Sequence, residues 1–345
     1  GAFYRFYGIT DEGNFEHGQS IIHIEISMDA FAKREGMPAE QLKKRLAAAR
    51  EKLFAARAKR KRPHLDDKIL TDWNGLMIGA LAYASRALDE PRYAKAALEA
   101  ATFIMNRLQS EDKLLHRYRD GKAEIDAFLD DYAFLSLGLF DLYEATFDVR
   151  WLQESIRLTD SMISLFWDAA NGGFWFGGKR NEQLIAQTKE LYDGAIPSGN
   201  SVAALNLTRL ALLTMDEKYK LKAEQTFQAF SGQVQVSPAA FAQFLIALDF
   251  WLGPSREIVI AGTSGAADTQ GMIQTINRRF LPRSLLVLNP GGDSAASLEA
   301  IAPFIIRQQS MDGKATAYVC ENYVCNLPTT DPTHLAALLD DSPIR

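Results

Sequence analysis

The residues best suited to chemistry stand in three short clusters. Asp130-Asp131-Tyr132 places two carboxylates and a phenol where an apolar helical pattern begins. His64-Leu65-Asp66-Asp67-Lys68 and Trp73-Asn74 precede a similar pattern, and Asp193 with Ser198-Gly199-Asn200 precedes a third. If Asp67, Asp131 and Asp193 share one cavity, two of them can act as general acid and base on a glycosidic bond, with one pKa raised by burial or a neighbour. Acids, amides and an imidazole (Asp130, Asn74, Asn200, His64) would bond sugar hydroxyls, and the Trp73 and Tyr132 rings would pack on a sugar face. The same residues have structural readings. Asp and Asn cap helix starts, Pro197 and Gly199 fix a tight turn, and Trp73 can be core.

Other chemistries are less well supplied. Epimerisation by two opposed histidines is poorly supplied, since none of His17, His23, His64, His116 and His334 falls within a helix of the inner kind described below. His17, His64 and His116 lie in loops and could still reach inward. Cys320 and Cys325 are not at a zinc-ligand spacing and read as buried thiols at a strand end, with a redox role as the alternative. Glu321 beside them could face a site. Residues 261–265 follow a strand pattern but lack a phosphate-loop signature. No cofactor and no metal are expected.

The elements that position these residues repeat. An apolar helix runs from Asn74 to about Asp89, and an amphipathic one from Pro91 to about Leu108. A second pair starts at Asp131 and Asp148, a third at Asn200 and Asp216. Anchored on Tyr93, Trp151 and Tyr219, the first helix of each pair begins 19 or 20 residues earlier. A further helix, 238–252, follows a Ser237 N-cap. The first helix of each pair is apolar all round, as a helix buried on every side must be. The second carries charge on one face (Lys95, Glu99, Arg107) and reads as outer. Inner and outer helices alternating with a period of about 60 residues predict an α/α toroid of helical hairpins. Its short connections lie on one rim. Long ones with strand-like hairpins at 113–119, 172–176 and 183–191 lie on the other, where function gathers.

Beyond residue 255 the order is β-α-β-α-β, which predicts a small parallel α/β unit. The expected domains are therefore 1–254 and 255–345. Gly1–Phe6 resembles the aromatic hairpin at 172–176, so an upstream helix pair is expected and the toroid is read as open or completed elsewhere. The basic stretch 43–62 reads as the solvated face of an outer helix.

The 345 residues carry a net charge of −5, which gives no basic surface for nucleic acid. No apolar run reaches the roughly 20 residues that span a bilayer. Two cysteines exclude a disulfide framework and point to a reducing cytoplasm.

Five ordered motifs carry a family resemblance: Gly13-Asn14-Phe15-Glu16, the run from His64 to Leu76, Phe128-Leu129-Asp130-Asp131-Tyr132-Ala133, the run from Asp193 to Ser201, and Tyr318-Val319-Cys320-Glu321-Asn322-Tyr323. Together they resemble the YyaL family, which includes spermatogenesis-associated protein 20. The resemblance implies a toroid similar to six-hairpin glycosidases and N-acylglucosamine 2-epimerases, a sugar-like ligand, and a thioredoxin-like domain as partner in the parent protein. This chain has no Cys-x-x-Cys segment of its own. The function expected is glycosidase-like acid–base chemistry in the toroid cavity. The alternatives are a non-catalytic ligand- or partner-binding module and an epimerase.

Overall fold

A computed structural model describes residues 1–110, 113–182, 185–321 and 324–340. Asn322 and Tyr323 of the last motif, and Gln183 at the start of one expected hairpin, lie outside the described residues. The chain forms two compact units, residues 1–67 and 68–345. The boundary expected at 254/255 falls inside the second.

In the first unit, α1 (Ala2–Phe6), α2 (Met28–Arg34) and α3 (Ala39–Ala58) close on a small core of Phe6, Phe31, Ala32, Leu42 and Leu46. The strand-like hairpin expected at Gly1–Phe6 is a helix. Its likeness to 172–176 failed because that segment turns on Gly172 and Gly173, both at positive φ. In the N-terminal copy, Phe3, Phe6 and Tyr7 are spaced for one helix face, and Phe3 meets Tyr7 at 4.7 Å between centroids. The basic stretch falls on α3 and the residues after it, exposed from Glu51 to Arg62.

The second unit opens with β1 (Ile69–Leu70), α4 (Thr71–Leu88), α5 (Pro91–Arg107), β2 (Gln109–Ser110), β3 (Lys113–Arg119) and β4 (Lys122–Asp126). There follow α6 (Leu129–Thr146), α7 (Val149–Phe166), α8 (Gly199–Thr214), α9 (Glu217–Val236) and α10 (Ala242–Leu252). Helices α4, α6, α8 and α10 pack in that order as an inner row, and α5, α7 and α9 each pack on the helix before them. This is the α/α toroid arrangement, with three helical hairpins and a further inner helix among the described residues. Each hairpin turns the same way: Asp89, Phe147 and Met215 end α4, α6 and α8 in the left-handed conformation, at φ 52°, 56° and 58°. Asp148 and Asp216 then cap α7 and α9.

Two hairpin expectations change. Residues 185–191 form no strand, and Trp167 meets Phe174 in a single antiparallel bridge. Ser237 makes no side-chain cap, because a short 3₁₀ turn, Pro238–Ala240, separates it from α10.

The remainder is β5 (Arg256–Ala261), α11 (Ala267–Asn277), β6 (Ser284–Asn289), α12 (Ala296–Ile301), β7 (Thr316–Glu321), β8 (Val324–Cys325) and α13 (Pro332–Asp340). The sheet order is β6-β5-β7-β8. It is mixed rather than parallel: β5 pairs with β6 in parallel and with β7 antiparallel. After α12 the chain turns through Pro303–Arg307 and bridges Met311 to Lys314, which reverses its direction before β7. One sheet face, with Val259, Leu285 and Val287, joins the core of the helical array. The other, with Ile258, Ile260, Leu286 and Leu288, packs under α11 and α13. Cys320 and Cys325, expected as thiols, form a disulfide across β7 and β8. No helix of the described residues is long and apolar enough to cross a membrane.

Candidate functional site at the start of the inner helices

The site begins with two glycines. A Cβ on Gly75 of α4 would lie 2.5 Å from the Leu135 nitrogen of α6, and one on Gly138 would lie 2.3 Å from the Gly75 carbonyl oxygen. The two backbones therefore touch, which only glycine permits. This contact brings the first turns of α4 and α6 together. The Asp131 carboxylate accepts hydrogen bonds from the backbone N–H of Phe128 (2.8 Å), within its own helix start, and from that of Asp72 (3.0 Å) on α4.

A strand delivers the third member. β1 pairs with β3 (Leu70 opposite Arg117), and Thr71 donates to the Leu115 carbonyl, so β3 runs beside the start of α4. His116 on β3 then sets Nδ1 3.0 Å from both Asp131 oxygens. That contact raises the His116 pKa, with the Asp131 charge assisting against burial. Burial and the neighbouring Asp131 raise the Asp72 carboxyl as well. Ligand atoms of Asp72, His116 and Asp131 lie within 4.8 Å of one another, close enough for one cation. His116 Nδ1 and the Asp131 carboxylate are also within direct hydrogen-bond distance of each other.

Asp130 points the other way, toward α8. It accepts the backbone N–H of Gly199, and a Cβ on Gly199 would stand 2.3 Å from its Oδ1. Burial first, then Asp131, Asp72 and Glu190, push the Asp130 carboxyl up to about 7. It stays partly exposed, beside an exposed Glu190. A carboxyl in that range can donate or take a proton near neutrality.

The other expected residues are placed as follows. Asp193 accepts from the backbone N–H groups of Ser198, Gln243 and Phe244, tying the α8 turn to the start of α10. Asn200 is fully buried and clamps Phe174 and the Glu190 carbonyl. Asn74 donates to the Leu70 carbonyl, and Tyr132 is buried with its hydroxyl accepting from Leu114 N–H. Trp73 is 59% exposed on the α4 start. His64 and Asp67 are exposed and belong to the first unit. Glu321 lies 3.4 Å from Arg256 in the C-terminal sheet.

Sequence reasoning passed over Asp72 and named His116 only among the loop histidines able to reach inward. The signal for Asp72 was an acid in the first turn of an inner helix, three residues before Gly75. For His116 the sequence offered a place in the 113–119 hairpin but no partner, because strand pairing is what brings it to Asp131.

It also passed over the far end of the same helices. There Arg86 and Arg209 pair with Glu144, and Arg209 with Asp141 at 2.7 Å. Against the cost of burial, the two guanidinium groups hold the Glu144 carboxyl below its ordinary range. Glu144 also accepts from Leu286 N–H, fixing α6 to β6. Cavities of about 260 and 380 Å³ adjoin this network, lined among others by Arg86, Glu144 and Asn277.

No protein-family model matches the sequence. The chain is 34% identical to human spermatogenesis-associated protein 20 and 33% identical to the rat protein, each over 97% of this chain and 45% of the relative. An uncharacterised Caenorhabditis elegans protein is 29% identical over 94% of the chain and 46% of its own length. The chain thus spans about half the length of the curated relatives it matches. Among solved structures, a cellobiose 2-epimerase from Bacillus thermoamylovorans overlaps 77% of this chain and 68% of its own, at 15% identity and TM-score 0.43. A GH76 α-mannanase from Bacteroides thetaiotaomicron overlaps 51% and 46%, at 20% identity and TM-score 0.41.

Proposed function

We propose, from the premise that this chain belongs to the spermatogenesis-associated protein 20 family over the region it shares with those proteins, that the starts of α4, α6 and α8 form an acid–base site for a sugar-like ligand. Asp130 is its proton donor. The observation that carries the reading is the placement of Asp130: partly exposed, held near 7, and backed by Asp72 and Asp131. A glycosidic oxygen that leaves needs a proton from such a group. Once Asp130 has given it, repulsion from Asp72, Asp131 and Glu190 favours taking it back. Glu190, exposed beside Asp130, is the carboxylate placed to activate water. The exposed Trp73 ring offers a flat apolar face to a sugar.

Asp131 takes a different part from the one its sequence suggests. Its oxygens are engaged by two backbone N–H groups and His116, so it acts behind Asp130 rather than on the ligand. An epimerase with two opposed histidines needs a second imidazole facing His116, and the other acid–base groups named at this site are carboxylates.

A second reading, a non-catalytic module serving a thioredoxin-like domain of a longer protein, is favoured by one fact. Asp131, Asp193 and Asn200 direct their side-chain oxygens to backbone N–H groups. The test is a thermal-shift and reducing-end screen of oligosaccharides on wild type and Asp130→Asn. Stabilisation of both proteins by one sugar class, with cleavage by wild type alone, supports the acid–base site. Stabilisation without cleavage supports the binding module, and no response to any sugar overturns both sugar readings.

A further inference from the structure

The geometry points to a second site, independent of the first: the Cys320–Cys325 disulfide is a thiol–disulfide exchange centre that accepts electrons from a dithiol, with Glu257 as its buried proton donor. The two sulfurs differ in access. Cys320 is 4% exposed on β7, while Cys325 on β8 is exposed. An attacking thiolate therefore meets Cys325 first and leaves Cys320 as the departing sulfur.

Three features surround Cys320. In the β5–β7 ladder Glu257 stands directly opposite it, which puts both side chains on one face as immediate neighbours. Glu257 is 4% exposed, and neither carboxyl oxygen has a hydrogen-bond partner among the described residues. A buried carboxyl without partners normally costs stability and asks for an explanation. Burial pushes it up to about 7, so a proton is exchanged there near neutral pH. Gln308, also buried, directs Nε2 at both sulfurs, 3.5 Å from Cys320 Sγ and 3.9 Å from Cys325 Sγ. Its Oε1 has no partner among the described residues. On this sheet face the titratable neighbour is Tyr318, whose hydroxyl donates to the Gln309 carbonyl. Arg256 and Glu321 pair on the opposite face.

The step balances as follows. One thiolate of the dithiol bonds to Cys325 Sγ as the Cys320–Cys325 bond breaks, and the electron pair leaves on Cys320 Sγ. That sulfur takes the Glu257 proton. The second thiol of the dithiol then attacks the mixed disulfide and releases Cys325, which is protonated from solvent. The protein disulfide is reduced and the dithiol is oxidised to its own disulfide.

The test uses the folded chain without denaturant, with dithiothreitol as reductant and alkylation counted by mass spectrometry. Wild type should be reduced to two alkylated cysteines and, once dithiothreitol is replaced by glutathione disulfide, should reoxidise to the intramolecular disulfide. Glu257→Gln should slow reduction by roughly tenfold or more and remove the rate inflection near pH 7, at unchanged circular dichroism. Should that variant not fold, single variants decide: with glutathione disulfide, Cys320→Ser should form a mixed disulfide at Cys325, releasing one glutathione thiolate, and Cys325→Ser should not at Cys320. Reduction of wild type only in denaturant, an unchanged rate in Glu257→Gln, or equal uptake by both cysteine variants would overturn the assignment.

Discussion

The Asp131 carboxylate accepts a hydrogen bond from the backbone N–H of Asp72, 3.0 Å away and on another inner helix. One side chain thus closes its own helix start, satisfies an orphan donor of the neighbouring helix and holds an imidazole. Helix starts leave such donors unpaired, and here two of them share a single acceptor.

Asp131→Ala should therefore cost more than an ordinary cap. Loss of the cap is worth about 1 kcal/mol, and an unpaired buried donor on Asp72 adds about 1–3 kcal/mol. Chemical denaturation measures the sum. Because Asp131 raises the His116 pKa, wild type gains stability below the ordinary histidine pKa and loses it as pH rises through the raised one. In Asp131→Ala that dependence should flatten, and NMR should show His116 titrating lower.

Asp130→Asn should have a pH signature of the same sign in a lower window. The folded-state Asp130 pKa is raised to about 7, so its contribution to stability is full below the ordinary aspartate pKa of about 3.9 and falls as pH rises toward 7. The variant removes that loss. It should be more stable relative to wild type at pH 8 than at pH 5, as read from thermal melts at both pH values.

The α4–α6 contact predicts a site lost without touching it. Gly75→Val drives a branched side chain into the backbone at Phe134 and Leu135, where overpacking costs typically 1–3 kcal/mol or more. The helices must separate, so the His116 shift should shrink as in Asp131→Ala. Ala80→Val, on an exposed position of the same helix, should leave the His116 shift in place.

At the other end of these helices, Arg209→Met leaves Asp141 without its buried cation and Glu144 with Arg86 alone. Breaking such a pair costs about 3–5 kcal/mol. The double variant Arg209→Met with Asp141→Leu should recover part of it, since no buried charge is then left unpaired on that side. A double-mutant cycle by urea denaturation checks both.

Much of the helical array was legible because its signals are local. Pro91, Asp148 and Asp216 mark outer-helix starts, and apolar runs around the whole circumference mark the inner helices. The residues that form the site were legible only in part. Asp130 and Asp131 were visible as acids at a helix start, but which of them faces the ligand depends on partners 59 and 69 positions away, Asp72 and Gly199. Asp193 was a candidate acid or base beside Asp131, yet it braces α10, because its turn ends beside Gln243 and Phe244. The disulfide was missed for a similar reason. A spacing of five says nothing until β7 and β8 pair Cys320 with Cys325.

The central claim is that Asp130 holds a proton near neutral pH at an accessible rim. Carboxyl-carbon NMR with selectively labelled aspartate, titrated between pH 3 and 9 and assigned with Asp130→Asn, tests it directly. The account predicts an Asp130 inflection near 7 that moves down when Asp131→Asn removes the adjacent charge. An Asp130 that titrates in the ordinary carboxylate range, unmoved by that substitution, would contradict it.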